Sequence, residues 1–358
     1  MAADTPYPEL KKTHTMAHKG RPWTDYKPPP AAPVWSVIEG LGSYYILLAA
    51  LELDVFDTLG STGPVGVDFL ARKLDVSEPH LQSLLDSLVA LGLLDQFENI
   101  YELNDTAERY LTSGGAASMS DLVPVAPGPH NNWLSLAETI KNGRPGNPID
   151  NDPASFYIPL VEGTFTTMLR TAIRSDLKIR YSASPDLKVL DLGAGGAPWS
   201  IAFLSACPEA TSVINDFEEV LKVAKRKTVE HEVFDRCEFR PGNFQDIEIE
   251  SNIYDLVVLG HVCRTEGEEG AANLIDRAFS ALKPGGRILL ADYFIDLERK
   301  FNPHGVLMGM TMMASTINGF QISNEQVSLW LRESGFESLR LVEPIGFQFV
   351  YVAVKPFN

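Results

Sequence analysis

Apolar residues recur at helical spacing through the first hundred residues of the chain. The spacing predicts amphipathic helices over about 34–59, 67–74 and 79–91. A following stretch, residues 93–103, predicts a β-hairpin with its turn near Glu98. Three helices followed by a hairpin indicate a winged helix.

The last half of the chain has a different pattern, in which short apolar runs alternate with helical stretches. This alternation predicts an α/β domain around a largely parallel sheet. Between the two patterns, residues 105–186 predict helices, and residues 145–153 predict a loop rich in Pro, Gly and Asn. We therefore predict four segments: a flexible polar arm at 1–32, a winged helix at 33–112, a helical linker at 113–186 and an α/β domain at 187–358.

One turn has the composition of a ligand-binding turn. The apolar strand Val189–Leu192 runs into Gly193 and Gly195, and an apolar helix follows. Glycines here let the backbone adopt positive φ and let a ligand approach closely, at the strand ends where open α/β sheets bind ligands. A second strand ends at Asp216, where nucleotide-binding βαβ units place an acid that holds ribose hydroxyls.

The net charge of −17 excludes several partners. A phosphate backbone needs clustered Lys and Arg, but the predicted recognition helix and hairpin of the winged helix are acidic, so we expect no nucleic acid and no anionic membrane surface. The three cysteines have no paired spacing, which predicts neither a metal site nor disulfides. We find no apolar run of about 18 residues and no signal core, so we expect a cytoplasmic protein without a membrane span.

The Asp191-x-Gly-x-Gly turn and the Lys-Pro-Gly-Gly turn at 283–286 resemble the small-molecule O-methyltransferases. The resemblance implies a Rossmann-like domain that binds S-adenosylmethionine (SAM), a winged helix that forms a homodimer, and a small-molecule substrate in specialised metabolism. It places the cofactor against Asp191, Gly193, Gly195, Asp216, Phe217, Asn243, Phe244 and Gly260. Asn243 stands where the family has Asp beside the adenine, and its amide can still accept a hydrogen bond.

In the same family, the linker helices and a Met-rich helix near residues 301–317 cover the substrate. The resemblance therefore implies a substrate site for a planar aromatic molecule, lined by Trp133, Tyr157, Phe165, Met168, Met308 and Met312. The alternative for each side chain is a place in the core, where methionine also fills gaps.

The chain departs from the family at the catalytic base. Arg264 and Thr265 stand where the family has His and Asp, and arginine stays protonated in proteins. Three explanations stay open: an ionised oxygen or a carbon acceptor beside Arg264; another base, His261 or His130; or a SAM-binding enzyme that does not methylate. The first explanation is supported by a resemblance to bacteriochlorophyllide meso-carbon methyltransferases, which also have Cys-Arg here. A further alternative gives Arg264 only a surface ion pair with Glu266, Glu268 or Glu269.

Overall fold

The computed structural model describes residues 31–126, 128–181, 186–296, 302–345 and 347–357. The predicted polar arm therefore lies outside the described residues, apart from its last two positions.

A small helical unit with a three-stranded sheet forms the N-terminal part. Its sheet has the order β1-β3-β2, and β2 and β3 form the predicted hairpin, with Glu98 at positive φ in its turn. Its core contains Phe56, Leu85 and Tyr101. The elements are α1 (Ala32–Glu52), α2 (Val55–Thr62), β1 (Val65–Gly66), α3 (Val67–Leu74), α4 (Glu78–Ala90), β2 (Leu94–Phe97), β3 (Ile100–Leu103) and α5 (Asp105–Tyr110).

The first predicted helix, over 34–59, is two helices. Asp54 has a φ of 55°, which interrupts the helical backbone between α1 and α2. Helix α1 is long and apolar enough to cross a membrane by length and composition, so the expectation that no such stretch exists is wrong. The apolar side chains of α1 that remain largely exposed are Val34, Trp35, Val37, Ile38, Leu41 and Tyr45.

The linker is helical, as predicted, but its first helix is divided. Ser135 separates α6 (His130–Leu134) from α7 (Leu136–Asn142), and the long α8 (Pro153–Ile179) follows. Asp152 caps α8, because its side chain accepts a hydrogen bond from the Ser155 N–H. Helix α8 packs against the first two helices of the α/β domain.

The α/β domain contains a mixed seven-stranded sheet in the order β6-β5-β4-β7-β8-β10-β9. Strands β4 to β8 run parallel to one another, whereas β10 is antiparallel to both β8 and β9. The strands are β4 (Lys188–Leu192), β5 (Thr211–Asp216), β6 (Cys237–Pro241), β7 (Tyr254–Gly260), β8 (Leu282–Asp292), β9 (Glu337–Ile345) and β10 (Gln348–Val354).

The described part of this domain also contains five helices, and buried clusters lie on both faces of the sheet. Parallel strands end at one edge of a sheet, so Leu192, Asp216, Gly260 and Asp292 bring their loops together there. The helices are α9 (Pro198–Ala206), α10 (Glu218–Glu230), α11 (Gly267–Ala281), α12 (Pro303–Ser315) and α13 (Asn324–Glu333).

Candidate active site

The predicted glycine turn connects β4 to α9. Gly193 and Gly195 have φ angles of 65° and 57°, in the left-handed region, where the backbone of a residue with a Cβ is strained. A Cβ on Gly193 would lie 2.4 Å from Cγ1 of Val262, and one on Gly195 would lie 2.9 Å from Cγ1 of Val161. Both positions therefore require glycine on grounds of φ and of space.

Asp216 is joined directly to this turn. Its Oδ2 accepts a hydrogen bond of 2.7 Å from the Gly195 N–H, and its Oδ1 accepts one of 2.7 Å from the Phe217 N–H. Burial raises the pKa of Asp216 to about 6, against the lowering effect of these two bonds. A carboxylate oxygen has a second lone pair, so the group can still accept hydrogen bonds from a ligand.

Asp191 lies beneath the turn and is 1% exposed. Its Oδ2 accepts hydrogen bonds from the N–H and the hydroxyl of Ser200, which fixes the start of α9. Burial raises its pKa to about 6, against the lowering effect of the Ser200 bonds. Its Oδ1 is buried without a hydrogen-bond partner among the described residues.

The remaining predicted cofactor residues have different surroundings. A Cβ on Gly193 would lie 3.3 Å from Cε1 of Phe244, so the Phe244 ring lies beside the glycine turn. Asn243 is exposed, and its side-chain oxygen accepts from the Gln245 N–H. At Gly260, a Cβ would lie 2.6 Å from Nε1 of Trp199. Close packing of that tryptophan is therefore sufficient to explain the glycine at 260.

Arg264 forms a buried ion pair with Asp292, at the end of β8. Its Nη1 donates to Asp292 Oδ1, and its guanidinium lies 5.2 Å from the ring centroid of Tyr293. Burial raises the pKa of Asp292, but the charge of Arg264, the contact with His261 and the Tyr293 N–H together outweigh it and lower the pKa of that carboxyl to about 2. The expected surface partners are wrong, because Glu266 bonds to Thr265 and Gln245, and Glu268 to Gln326.

His261 belongs to the same cluster, and both of its ring nitrogens are engaged. Nδ1 lies 3.1 Å from Arg264 Nη1, and Nε2 lies 3.1 Å from Gln348 Oε1. Nδ1 also lies 3.5 Å from Asp292 Oδ1. The imidazole therefore contacts both members of the ion pair on one side and the Gln348 amide on the other.

His130, the other predicted base, is elsewhere. Its Nε2 bonds to the Tyr44 hydroxyl at 3.0 Å, which ties α6 to α1. It lines a cavity of about 440 Å³ in the linker, together with Asn131, Asn147 and Phe156. The residues that line this cavity do not include Arg264 or His261, so the structure does not bring the three predicted catalytic residues together.

The predicted substrate residues lie in different surroundings. The phenol of Tyr157 is affected by the charges of both Arg264 and Asp216; burial raises its pKa, and Arg264 opposes this. Met308 lines a small cavity beside Arg264.

Two of the predicted substrate residues, Phe165 and Met312, are buried. Phe165 is 6% exposed and packs against Gly196 and His231. Met312 is 4% exposed and lines neither cavity. Burial of these two side chains agrees with the alternative of a place in the core, and their placement in a substrate site stays a prediction. Trp133 is partly buried, with its Nε1 unpaired within the described part of the chain, and Met168 is partly buried on α8.

Asp292 and Gln348 are the functional candidates that the sequence-based predictions missed. Asp292 ends β8, the strand next to β7, and the end of β7 leads to Arg264. An acid at the end of a neighbouring parallel strand is a signal that could have indicated the pair. Gln348 begins an antiparallel strand, and the sequence contains no signal for its contact with His261.

The residues around the turn fit a cofactor with an amino-acid end and a ribose. The unpaired Oδ1 of Asp191 and the remaining lone pairs of Asp216 are acceptors, and the turn between them is free of side chains at Gly193 and Gly195. Across the five described ranges, no group of three His, Cys, Asp or Glu side chains could hold a metal ion.

Comparison with known proteins agrees with this architecture. Residues 35–113 match the O-methyltransferase dimerisation domain, and residues 172–337 match the O-methyltransferase domain. The 3-hydroxy-5-methyl-1-naphthoate 3-O-methyltransferase of Streptomyces sahachiroi is 25% identical over 85% of this chain and 88% of that protein. The tetracenomycin polyketide synthesis 8-O-methyltransferase of Streptomyces glaucescens is 25% identical over 87% and 92%, respectively.

The fold is also that of a solved structure, human N-acetylserotonin methyltransferase in complex with SAM. The TM-score is 0.79 at 22% identity, and the match covers 93% of this chain and 99% of the human chain. SAM is the cofactor of the family to which these enzymes belong. The chain is therefore an enzyme of the O-methyltransferase family, with that family's dimerisation domain followed by its α/β catalytic domain.

Proposed function

We propose that the protein transfers the methyl group of SAM to a hydroxyl of a small aromatic molecule. The observation that carries this proposal is the hydrogen bond from the Gly195 N–H to Asp216, which joins the glycine turn to an acid at the next strand end. SAM supplies an electrophilic methyl group on a sulfonium. The side chains at this edge bind and orient the two reactants.

Each cofactor residue has a role in this proposal. Gly193 and Gly195 let the amino-acid end approach the backbone. The Asp191 Oδ1, which has no partner among the described residues, is the acceptor that we assign to that end. Asp216 accepts hydrogen bonds from the ribose hydroxyls. The adenine lies by Phe217, Asn243, Phe244 and Gly260, with the Asn243 amide in place of a carboxylate.

An aromatic substrate is supported by two observations. The two Streptomyces relatives are named for a naphthoate and for a polyketide. In this chain, Tyr157 is influenced by both Arg264 and Asp216, and its ring contacts that of Phe156 with centroids 5.3 Å apart. Two aromatic side chains in contact at the start of α8 favour a planar partner.

Arg264 stands where the family has a catalytic base, and it forms an ion pair with Asp292. A guanidinium does not accept a proton, and a carboxyl whose pKa is about 2 is a weak base. We infer that Arg264 binds the acceptor oxygen and that the acceptor is acidic enough to lose its proton to solvent water, so that the oxygen takes the methyl group and S-adenosylhomocysteine is released. A carbon acceptor is the related alternative.

The same ion pair favours a second candidate, a SAM-binding enzyme that does not transfer methyl. One experiment separates the candidates: the protein is incubated with SAM labelled in its methyl group and with hydroxynaphthoates and hydroxyanthraquinones. We expect label in an O-methyl product. Consumption of an acceptor while the label stays on SAM favours the second candidate, and failure to bind SAM in calorimetry contradicts both.

A further inference from the structure

Asn215, the residue before Asp216 on β5, joins two loops at the end of the sheet and is 0% exposed. Its Nδ2 donates hydrogen bonds to the carbonyl oxygen of Arg240, at 2.8 Å, and to that of Gly242, at 2.9 Å. Its own carbonyl oxygen accepts from the Ala194 N–H, in the glycine turn, at 3.0 Å. One buried residue therefore connects the glycine turn to the loop that follows β6.

The loop after β6 depends on these contacts for its direction. Pro241, the last residue of β6, has no N–H to donate. Gly242 follows with a φ of 136°, and glycine restricts the backbone least of all residues. Other groups must therefore fix the direction of the loop at Gly242. The Asn215 amide provides two bonds, to the carbonyls on either side of Pro241.

The same loop carries Phe244 to the glycine turn. A Cβ on Gly193 would lie 3.3 Å from Cε1 of Phe244, so the ring forms a wall beside the turn. Phe244 is only two residues after Gly242. A change in backbone direction at Gly242 therefore moves the ring relative to Gly193.

The amide of Asn215 acts through its donor. Its Oδ1 is buried and has no hydrogen-bond partner in the described part of the chain. Aspartate at position 215 would place a carboxylate against two carbonyl oxygens, and an apolar side chain would offer no donor to them. The Nδ2 group is thus what the end of β6 requires at this position.

We propose that Asn215 is a positioning residue for the nucleoside end of SAM. Its Nδ2 fixes the loop after β6, so that the Phe244 ring lies beside the glycine turn before the cofactor binds. A wall that is already ordered lowers the entropy cost of binding. The inference rests on the proposed function, in which Phe244 and Asp216 contact the adenine and the ribose. Asn215 acts through Phe244 and does not itself contact the cofactor.

Calorimetry with S-adenosylhomocysteine, which has the same nucleoside as SAM, tests this role. Asn215→Ala and Asn215→Leu both remove the donor, but the first leaves space and the second fills it. We expect each variant to bind about tenfold more weakly, still with a single molecule per chain. Native affinity in both variants overturns the inference. Fewer binding sites with native affinity also overturn it, because that result indicates a role in folding alone.

Thr228→Val is the matched control. Thr228 is also 0% exposed, and its hydroxyl donates to two carbonyl oxygens, those of Ala224 and Lys225, within α10. The variant therefore removes a buried donor from the same domain, and the affinity should change by less than about twofold. A tenfold loss in this control would show that the effect is not specific to Asn215 and would overturn the inference.

A double-mutant cycle tests whether Asn215 acts through Phe244. Phe244→Ala removes the wall, so adding Asn215→Ala to it should weaken binding by less than about threefold further. Two losses that multiply in the double variant contradict the inference, because they show that the two side chains act independently.

Hydrogen exchange separates this inference from the proposed function. In the protein without cofactor, the amides of residues 242–244 should exchange faster in Asn215→Ala than in the native chain. Unchanged exchange means that Asn215 does not fix the loop, and it overturns the inference while the proposed function stands. Failure of the native protein to bind S-adenosylhomocysteine contradicts the proposed function, and with it the nucleoside assignment, even if the exchange is faster.

Discussion

At the scale of single residues, the carboxyl of Asp216 links the proposed cofactor site to the affinity for SAM, which can be measured. Its two oxygens already accept backbone N–H groups, so only their outer lone pairs remain for a ligand. Hydrogen bonds to a charged group contribute about 1.5–3 kcal/mol each. The side chain therefore both shapes the turn and contributes to the affinity for the ligand.

We expect Asp216→Asn to weaken SAM binding about tenfold or more in calorimetry, because a neutral amide replaces charge-assisted acceptors. Glu218→Gln is the matched control, since Glu218 is exposed on the next turn of the chain and should leave the affinity within a factor of two. Native affinity for SAM in Asp216→Asn would show that the Asp216 carboxylate does not bind the cofactor.

Asp191 has a predictable influence on stability. Its pKa is about 6 in the folded protein, above the ordinary value of 3.8, so the folded state binds its proton more tightly than the unfolded state. This contribution to stability is complete below about pH 3.8 and is lost as the pH rises through 6.

In the absence of SAM, the free energy of unfolding of the wild type relative to Asp191→Asn should therefore increase as the pH falls from about 7.5 to 5. Urea denaturation of both proteins at each pH measures this difference. Groups that do not interact with Asp191 cancel, whereas Asp216, whose charge contributes to the raised Asp191 pKa, is part of the measured effect. A difference that does not change with pH would show that the Asp191 pKa is not raised.

At the scale of elements, the ends of β7 and β8 meet in the ion pair between Arg264 and Asp292. Removal of one partner from a buried pair leaves an uncompensated charge, which typically costs about 3–5 kcal/mol, whereas apolar replacement of both is often tolerated. Exposed pairs contribute about 0–1 kcal/mol. Burial therefore decides what this pair means for stability.

We expect Asp292→Asn to lower the free energy of unfolding by about 3 kcal/mol or more. The double variant Arg264→Met, Asp292→Leu should recover much of this stability while losing activity. Asp68→Asn, which breaks the exposed pair with Arg72, is the control and should change stability by less than about 1 kcal/mol. A small loss in Asp292→Asn would indicate a hydrated pair.

Elements also show where periodicity is informative. The hairpin β2–β3 and the strands β4 and β5 were predicted correctly, because turn residues or apolar runs mark them. Strand β9 was missed, although Leu339 and Leu341 alternate with polar residues in Glu337–Ile345. It pairs only with β10, at the end of the sheet, so its apolar signal is weak.

At the scale of the whole molecule, the apolar face of α1 needs a partner. A continuous exposed apolar patch on a helix is typical of an association site. Most of α1 lies in the region that matches a dimerisation domain. Val37 and Leu41 are 76% and 63% exposed on this face. We propose that α1 packs in a homodimer.

Light scattering should therefore show a dimer at micromolar concentration, and Val37→Glu with Leu41→Glu should shift it toward monomer. Leu134→Glu is the control, because Leu134 is 86% exposed but lies outside the matched dimerisation domain; it should leave the dimer intact. A monomeric native protein, or a dimer that survives both changes in α1, would place the interface elsewhere.

The sequence by itself determined the features that depend on neighbours along the chain. Gly193 and Gly195 follow a buried strand, and Asp216 ends the next one, so the identity of the turn and its acid needed only local geometry and the rule that parallel strands end together. The departure at Arg264 was visible for the same reason, since it stands a fixed distance after β7.

Only the tertiary structure decided which side chains meet across the chain. Asp292 compensates Arg264, Gln348 orients His261, and Tyr44 holds His130 in a different part of the molecule. Phe165 turned inward, although its helix was predicted. Helical or strand spacing determines which residues share a face, but the direction of that face depends on long-range packing, which no local pattern encodes.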